Sequence, residues 1–241
     1  MLQACLNGSR SRDFHPALAC TPAELAYDAK AAIGAGAEEL HVHPRGQDGE
    51  QSLEPADVGA ALEAIRASVP GVPVGISTLW TIPPTGRARQ APMREWRTLP
   101  DYVSVNLSEE DAPEIMALMI QRRIGIEAGL ATVADALRLV ALPSAERCLR
   151  VLIEIEEQET AAGLHVAHEI LAVLNHANLG LPIQLHGSDR TQWSMHDEAV
   201  RLGLDRRIGL EDGADLPDGT RAADNAELLR TAVVLTGRAI G

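Results

Sequence analysis

Two clusters of residues in this 241-residue sequence could do chemistry together. The first is His41-Val42-His43, inside the run Glu39-Leu40-His41-Val42-His43-Pro44-Arg45. Residues 23–36 before it read as a helix ending in glycine, and Gly46-Gln47-Asp48-Gly49 after it reads as a loop. The pair therefore sits at the end of a short strand, where side chains at i and i+2 share a face. Two imidazoles on one face could share a divalent metal; alone, they read equally as two polar tips of an alternating strand. The second cluster is Glu211-Asp212, following Arg207-Ile208-Gly209-Leu210. Adjacent carboxylates near an arginine are a pattern for shifted pKa values and proton transfer. Taken alone they read as an ion-pair network. Taken with the histidine pair, they suggest a two-histidine, one-carboxylate metal site with open positions.

Such a site needs elements that bring residue 41 and residue 211 together. Strand patterns fall at 2–6, 39–43, 72–77, 102–106, 125–127, 148–153, 182–186 and 207–210. Helical patterns alternate with them. The first opens on Thr21-Pro22-Ala23-Glu24, with Thr at the N-cap, Pro at the first position and Glu at the third. Others fall at 54–68, 132–142, 160–177, 192–202 and 225–239; a short one closes at 94–98, and one opens at Ser108-Glu109. The stretch 79–93, with three prolines and Gly86, is the longest irregular segment and reads as a lid or wall. Eight strands alternating with eight helices predict an α/β fold, the (β/α)8 TIM barrel, as a single domain over residues 1–241. An open doubly wound sheet would carry a glycine-rich turn after its first strand; Asn7-Gly8-Ser9 is not one.

In a barrel, function collects at the C-terminal ends of strands. Those ends carry Asn7 and Arg10, His41 and His43, Ser77 and Thr78, Ser104 and Asn106, Glu127, Glu154, His186, and Glu211 with Asp212. Ser77, Thr78, Ser104 and Asn106 could each simply cap the next helix. Glu156, Glu157 and Glu159 read as a solvated helix start. His165, His168 and His176 lie along one helix as surface or packing residues, and His15 and His196 read as structural. Composition narrows the partners. A hydrophobic fraction of 46% supports a real core, while 2% aromatics and a net charge of −13 argue against nucleic acid and acidic membranes. Cys5, Cys20 and Cys148 form no C-x-x-C pair, which predicts buried thiols in a reducing compartment. With no apolar run of transmembrane length, the expectation is a soluble, cytoplasmic protein.

Ala4-Cys5-Leu6-Asn7-Gly8, Thr21-Pro22-Ala23-Glu24, His41-Val42-His43-Pro44-Arg45, Asp48-Gly49, Ser104-Val105-Asn106-Leu107, Glu127, Arg207-Ile208-Gly209-Leu210-Glu211-Asp212 and Asp224-Asn225-Ala226 occur in this order. Together they resemble the β-keto acid cleavage enzymes, typified by 3-keto-5-aminohexanoate cleavage enzyme, over nearly the whole chain. The resemblance implies a (β/α)8 barrel with a catalytic zinc held by His41, His43 and Glu211. It implies a β-keto acid and acetyl-CoA as substrates, with acetoacetate and a new acyl-CoA as products. It implies Asp212 as the base, Arg207 and Glu127 orienting and tuning it, and Ser77, Ser104 and Asn106 lining the substrate pocket. It further implies a homo-oligomer, a tetramer or dimer. Two positions depart from the family. Arg10 stands where typical members have a carboxylate after the first strand, which predicts a neutral or anionic substrate tail. Glu154-Ile155-Glu156-Glu157-Gln158-Glu159 replaces a glycine-rich segment, and such an acidic stretch is a poor neighbour for CoA phosphates. Two histidines and a carboxylate also suit iron, manganese, cobalt or nickel. A metal-dependent hydrolase on the same barrel, or a non-catalytic metal- or ligand-binding barrel, are the alternatives.

Overall fold

A computed structural model describes residues 1–237. Its eight strands are β1 Leu2–Cys5, β2 Glu39–Val42, β3 Val74–Ser77, β4 Tyr102–Asn106, β5 Gly125–Leu130, β6 Arg150–Ile155, β7 Ile183–Gly187 and β8 Asp205–Ile208. The helices are α1 Pro22–Gly34, α2 Pro55–Ser68, α3 Gln90–Glu95, α4 Ala112–Arg122, α5 Val133–Ala141, α6 Thr160–Ala177, α7 Gln192–Leu202 and α8 Asn225–Leu235. The strands close a barrel in sequence order, and the registered pairs are parallel. This is the predicted (β/α)8 fold. The described residues form two compact units, one of 1–101 with 208 onward and one of 102–207.

In the first unit, α1 starts where its signals place it. Thr21 Oγ1 accepts from Glu24 N, and the Glu24 carboxylate accepts from Thr21 N, with Pro22 opening the helix. The register pairs Cys5 with His41 and His41 with Gly75, and Leu40 with Ala4 and Val74. Every residue of β1, β2 and β3 is buried. Strands covered on both faces need apolar residues on both, and Leu40 and Val42 supply one face of β2 while His41 lies on the other. The segment 79–93 holds more structure than its prolines suggest. A 3-10 turn at Gly86–Arg89 leads into α3, so the short helix covers Gln90–Glu95 and not 94–98. Pro92 fits because it lies in the first helical turn, where its missing N–H has no intrahelical partner to lose.

In the second unit several boundaries move. The chain turns at Ser108-Glu109, and α4 opens only at Ala112-Pro113. β5 runs six residues, so Glu127 lies inside it and not at its end. β6 runs to Ile155 and so contains Glu154. Thr132 caps α5 through a box with Asp135, as Thr21 does for α1. β8 begins earlier than read and ends at Ile208, which leaves Gly209-Leu210-Glu211-Asp212 as a post-strand turn in the first unit. The reading of α8 as far as 239 extends past the described residues. Among those residues, no helix is long and apolar enough to cross a membrane.

Candidate metal centre

His41 lies within β2 and His43 follows its end, both buried. Their rings stand edge to face, with centroids 5.4 Å apart. Glu211 Oε1 lies 3.3 Å from His43 Nε2 and 3.9 Å from His41 Nε2. One ligand atom from each of the three residues falls within 4.8 Å of the others. The sequence pattern predicted this set, and all three residues belong to the first unit.

Glu211 reaches this position because its surroundings are small and hydrogen bonded. A Cβ on Gly209 would sit 1.9 Å from the Cys5 carbonyl oxygen, so only glycine lets the turn pass β1 so closely. Gly8 has a positive φ of 56°, and a Cβ there would lie 2.4 Å from Glu211 Cγ. The buried Asn225 carboxamide accepts from Leu210 N at 2.7 Å and donates to Leu6 O at 2.8 Å and to Asp28 Oδ2 at 2.7 Å. Arg10 Nε donates to the Glu211 carbonyl at 3.2 Å, and its guanidinium lies 4.2 Å from the Phe14 ring centroid.

The histidines have a supporting layer of their own. Asn7 grips the His43 backbone from both sides, accepting from His43 N and donating to His43 O, each at 2.9 Å. Gln51 Oε1 lies 2.5 Å from His43 Nδ1. Arg45 donates to the carbonyls of Gly49, Gly8 and Arg10, joining the loop after β2 to the loop after β1. Gln51 is a site residue that the sequence reading missed. Its only signal is the Asp48-Gly49 turn, which could fold residue 51 back beside residue 43. The donor set fits a divalent ion. Gln51 Oε1 stands at His43 Nδ1 while the Glu211 carboxylate faces Nε2, the side left for a metal.

The other predicted residues fall in both units. In the first, Asp212 is buried directly after Glu211, with its N–H donating to Gly209 O at 2.9 Å. Ser77 closes β3, and its hydroxyl accepts from Leu79 N. In the second, Ser104 registers with Glu127 across β4 and β5. Asn106 lies over Gly129, where a Cβ would come within 2.5 Å of its Oδ1. Glu127 is fully buried and pairs with Arg150 Nε at 2.9 Å on the neighbouring strand. Arg207 is buried within β8. The acidic stretch is not wholly solvated. Glu159 caps α6 by accepting from Ala162 N at 2.8 Å. Burial first, then the nearby charges of Glu154, Glu157 and Asp135, push the Glu156 carboxyl above its usual range. Of the remaining histidines, His186 is buried in β7 and His196 in α7. His15 Nε2 meets Ala222 O at 2.9 Å. His165 pairs with Glu169, and His168 with Glu198, on the helical surface.

The chain matches the family described as beta-keto acid cleavage enzyme over residues 1–239. It is 25% identical over 239 residues to a 3-keto-5-aminohexanoate cleavage enzyme of Fusobacterium nucleatum, an alignment covering 93% of this chain and 86% of that protein. It is 26% identical over 262 residues to a 3-oxoadipate:acetyl-CoA acetyltransferase of Cupriavidus necator, covering 98% and 87% respectively. Among solved structures, ObcA in binary complex with oxaloacetate superposes with a TM-score of 0.73 at 15% identity, covering 92% of this chain. Apo ObcA gives 0.75 at the same identity. This chain spans 65% and 63% of those two ObcA chains, just under two-thirds, and at such identity the likeness concerns the fold.

Proposed function

The chain belongs to the beta-keto acid cleavage enzyme family, and from that premise we propose that it is a zinc-dependent acyltransferase. In this reading it converts a β-keto acid and acetyl-CoA into acetoacetate and a new acyl-CoA. The observation that carries the reading is the convergence of His41, His43 and Glu211 within 4.8 Å, with the carboxylate of Asp212 next in the chain.

His41, His43 and Glu211 would hold the ion, and when bound it would supply Lewis acidity to the substrate keto oxygen. Asp212 takes a proton from the carbon between the keto and carboxylate groups onto its own carboxylate oxygen. That carbon then attacks the thioester carbonyl of acetyl-CoA, and the CoA thiolate leaves. The thiolate attacks the original keto carbon, the bond from that carbon to the former α-carbon breaks to leave the new acyl-CoA, and the released four-carbon carbanion takes back the proton held by Asp212 and departs as acetoacetate. Burial of Asp212 and of the two histidines keeps bulk water from the reacting atoms. Ser77 contacts the substrate, and the guanidinium of Arg10 faces a neutral or anionic tail. The family resemblance adds Arg207 and Glu127 as groups that orient and tune the base, with Ser104 and Asn106 in the substrate pocket. We further propose a single domain working as a homo-oligomer in the cytoplasm.

The test is acetoacetate release from a panel of β-keto acids with labelled acetyl-CoA. The label is expected in acetoacetate with the zinc-loaded protein. His41→Ala should lose both metal and turnover. Zinc-loaded protein inactive across the panel would overturn the reading. Thiol-independent hydrolysis of esters or amides would favour a hydrolase, and activity that survives metal loss in His41→Ala would remove the catalytic role of the site.

A further inference from the structure

We propose that Gln51 is a positioning residue for His43, holding its ring in the one neutral form that can bind a metal through Nε2. The inference rests on the metal site of the preceding section and adds to it a residue that acts through a ligand.

A neutral imidazole has one N–H and one lone pair, and only the nitrogen with the lone pair can ligate. The partner of the other nitrogen decides which is which. Gln51 Oε1 stands 2.5 Å from His43 Nδ1. An amide oxygen accepts and cannot donate, so with Oε1 of Gln51 facing the ring, Nδ1 carries the proton. The lone pair is then on Nε2, the nitrogen that lies 3.3 Å from Glu211 Oε1.

The chain builds a hairpin for this contact. Gly46 N donates to Glu50 O, and Ser52 N to Pro44 O, both at 2.9 Å, and Arg45 and Gln51 form an isolated antiparallel bridge. Gly49 turns the corner at a φ of 86°, where L side chains are strained. Asp48 Oδ1 accepts from Glu50 N. Arg45 then fastens the hairpin to the loop after β1 through Gly8 O and Arg10 O. The backbone of His43 is already held by Asn7. Gln51 is therefore not needed to keep His43 in place; its contact acts on the ring alone. A hairpin staple with no further role would leave the zinc affinity of folded protein unchanged when Gln51 is replaced.

The experiment uses metal-free protein with 15N-labelled histidine, reading the tautomer of His43 from two-bond proton–nitrogen correlations assigned by the signal lost in His43→Asn. Zinc affinity is measured in parallel by chelator competition, and folding by thermal melting. Wild-type His43 is expected in the Nδ1–H form. Gln51→Leu should move it toward the Nε2–H form and weaken zinc binding on the order of 10–100-fold. Gln51→Glu keeps an acceptor oxygen and should restore both. The proposal is overturned if wild-type His43 carries its proton on Nε2, a measurement independent of any Gln51 variant. It is also overturned if folded Gln51→Leu keeps wild-type affinity, or if Gln51→Glu fails to recover it. Wild-type protein that takes up no zinc would instead overturn the metal reading, while the tautomer measurement would still decide the role of Gln51.

Discussion

Asp212 and Glu211 are neighbours in the chain, and the proposed function gives them different work, one as base and the other as metal ligand. Asp212→Asn keeps the shape and removes the proton acceptor. Its expected result is a fall in kcat of roughly 10²–10⁴ with zinc content unchanged, measured by steady-state turnover beside metal analysis. A matching loss of metal would move Asp212 into the ligand set. The proposed contact of Arg10 with the substrate tail can be separated from its contact with the Glu211 backbone. The Arg10 Nε–H donates to the Glu211 carbonyl and its plane lies against Phe14. Arg10→Glu should shift the kcat/KM preference at least about tenfold away from anionic tails toward ammonium ones, and weaken zinc binding through the lost backbone contact. Competition assays between paired substrates read the first effect, and chelator titration reads the second. At this scale the candidate ligands were legible because H-x-H at a strand end is a local spacing, and Glu211-Asp212 a local pair. Gln51 was not, because its role exists only once a hairpin folds it back onto residue 43. Glu127 was misplaced at a strand end because β5 continues through Ala128-Gly129-Leu130, where small residues hide the pattern.

The elements that deliver Glu211 to the histidines are a turn and a cap. Asn225 opens α8, and its carboxamide meets Leu6 O, Leu210 N and Asp28. Asn225→Ala would leave buried polar groups without their partner, at about 1–3 kcal/mol each. The melting temperature should therefore fall by roughly 2–4 °C for every kcal/mol lost, and zinc affinity should fall with it. Gly209→Ala should act through shape alone. Its Cβ would collide with the Cys5 carbonyl, so the turn must move and Glu211 with it. Zinc binding should weaken in this variant even where the fold survives, as read by calorimetric titration. Helix starts were largely legible, since Thr21 with Glu24 and Thr132 with Asp135 are local hydrogen-bonding boxes. Strand ends were not. Buried parallel strands are apolar on both faces, so no alternation marks where they stop. The start of α4 was missed because its opening proline, Pro113, follows a turn that itself begins with a capping-type serine, Ser108.

For the molecule as a whole, the eightfold alternation made the barrel legible, because a βα unit repeats over a length that sequence patterns resolve. A net charge of −13 was equally plain. How those carboxylates set stability was not, because that depends on which of them folding buries. Among the described carboxylates Glu24, Glu198 and Asp218 are pulled down, and Asp28 and Glu156 are pushed up. Glu24 is lowered to about 2, chiefly by its hydrogen bond with Arg12, and Glu198 to about 2, chiefly by Arg201. Both contributions are present above the ordinary glutamate range and are lost as pH falls toward 2. Asp28 runs the other way. Burial pushes it up to about 7, opposed by the hydrogen bond from Asn225 and reinforced by the charge of Asp224. It lines a cavity of about 740 Å³ beside α1 and α8. Between about pH 4 and 7 the folded chain keeps the Asp28 proton that the unfolded chain releases. Its contribution is therefore fully present below the unfolded value and is lost as pH rises through 7. The two trends oppose each other, so stability should peak on the acidic side of neutrality. Asp28→Asn retains an oxygen to accept from Asn225 and removes the charge. Melting temperatures measured from pH 4 to 9 should then match wild type at the acidic end and exceed it above pH 7, by about 2–4 °C per kcal/mol. A variant that tracks wild type across the whole range would show that Asp28 carries no buried charge at neutral pH.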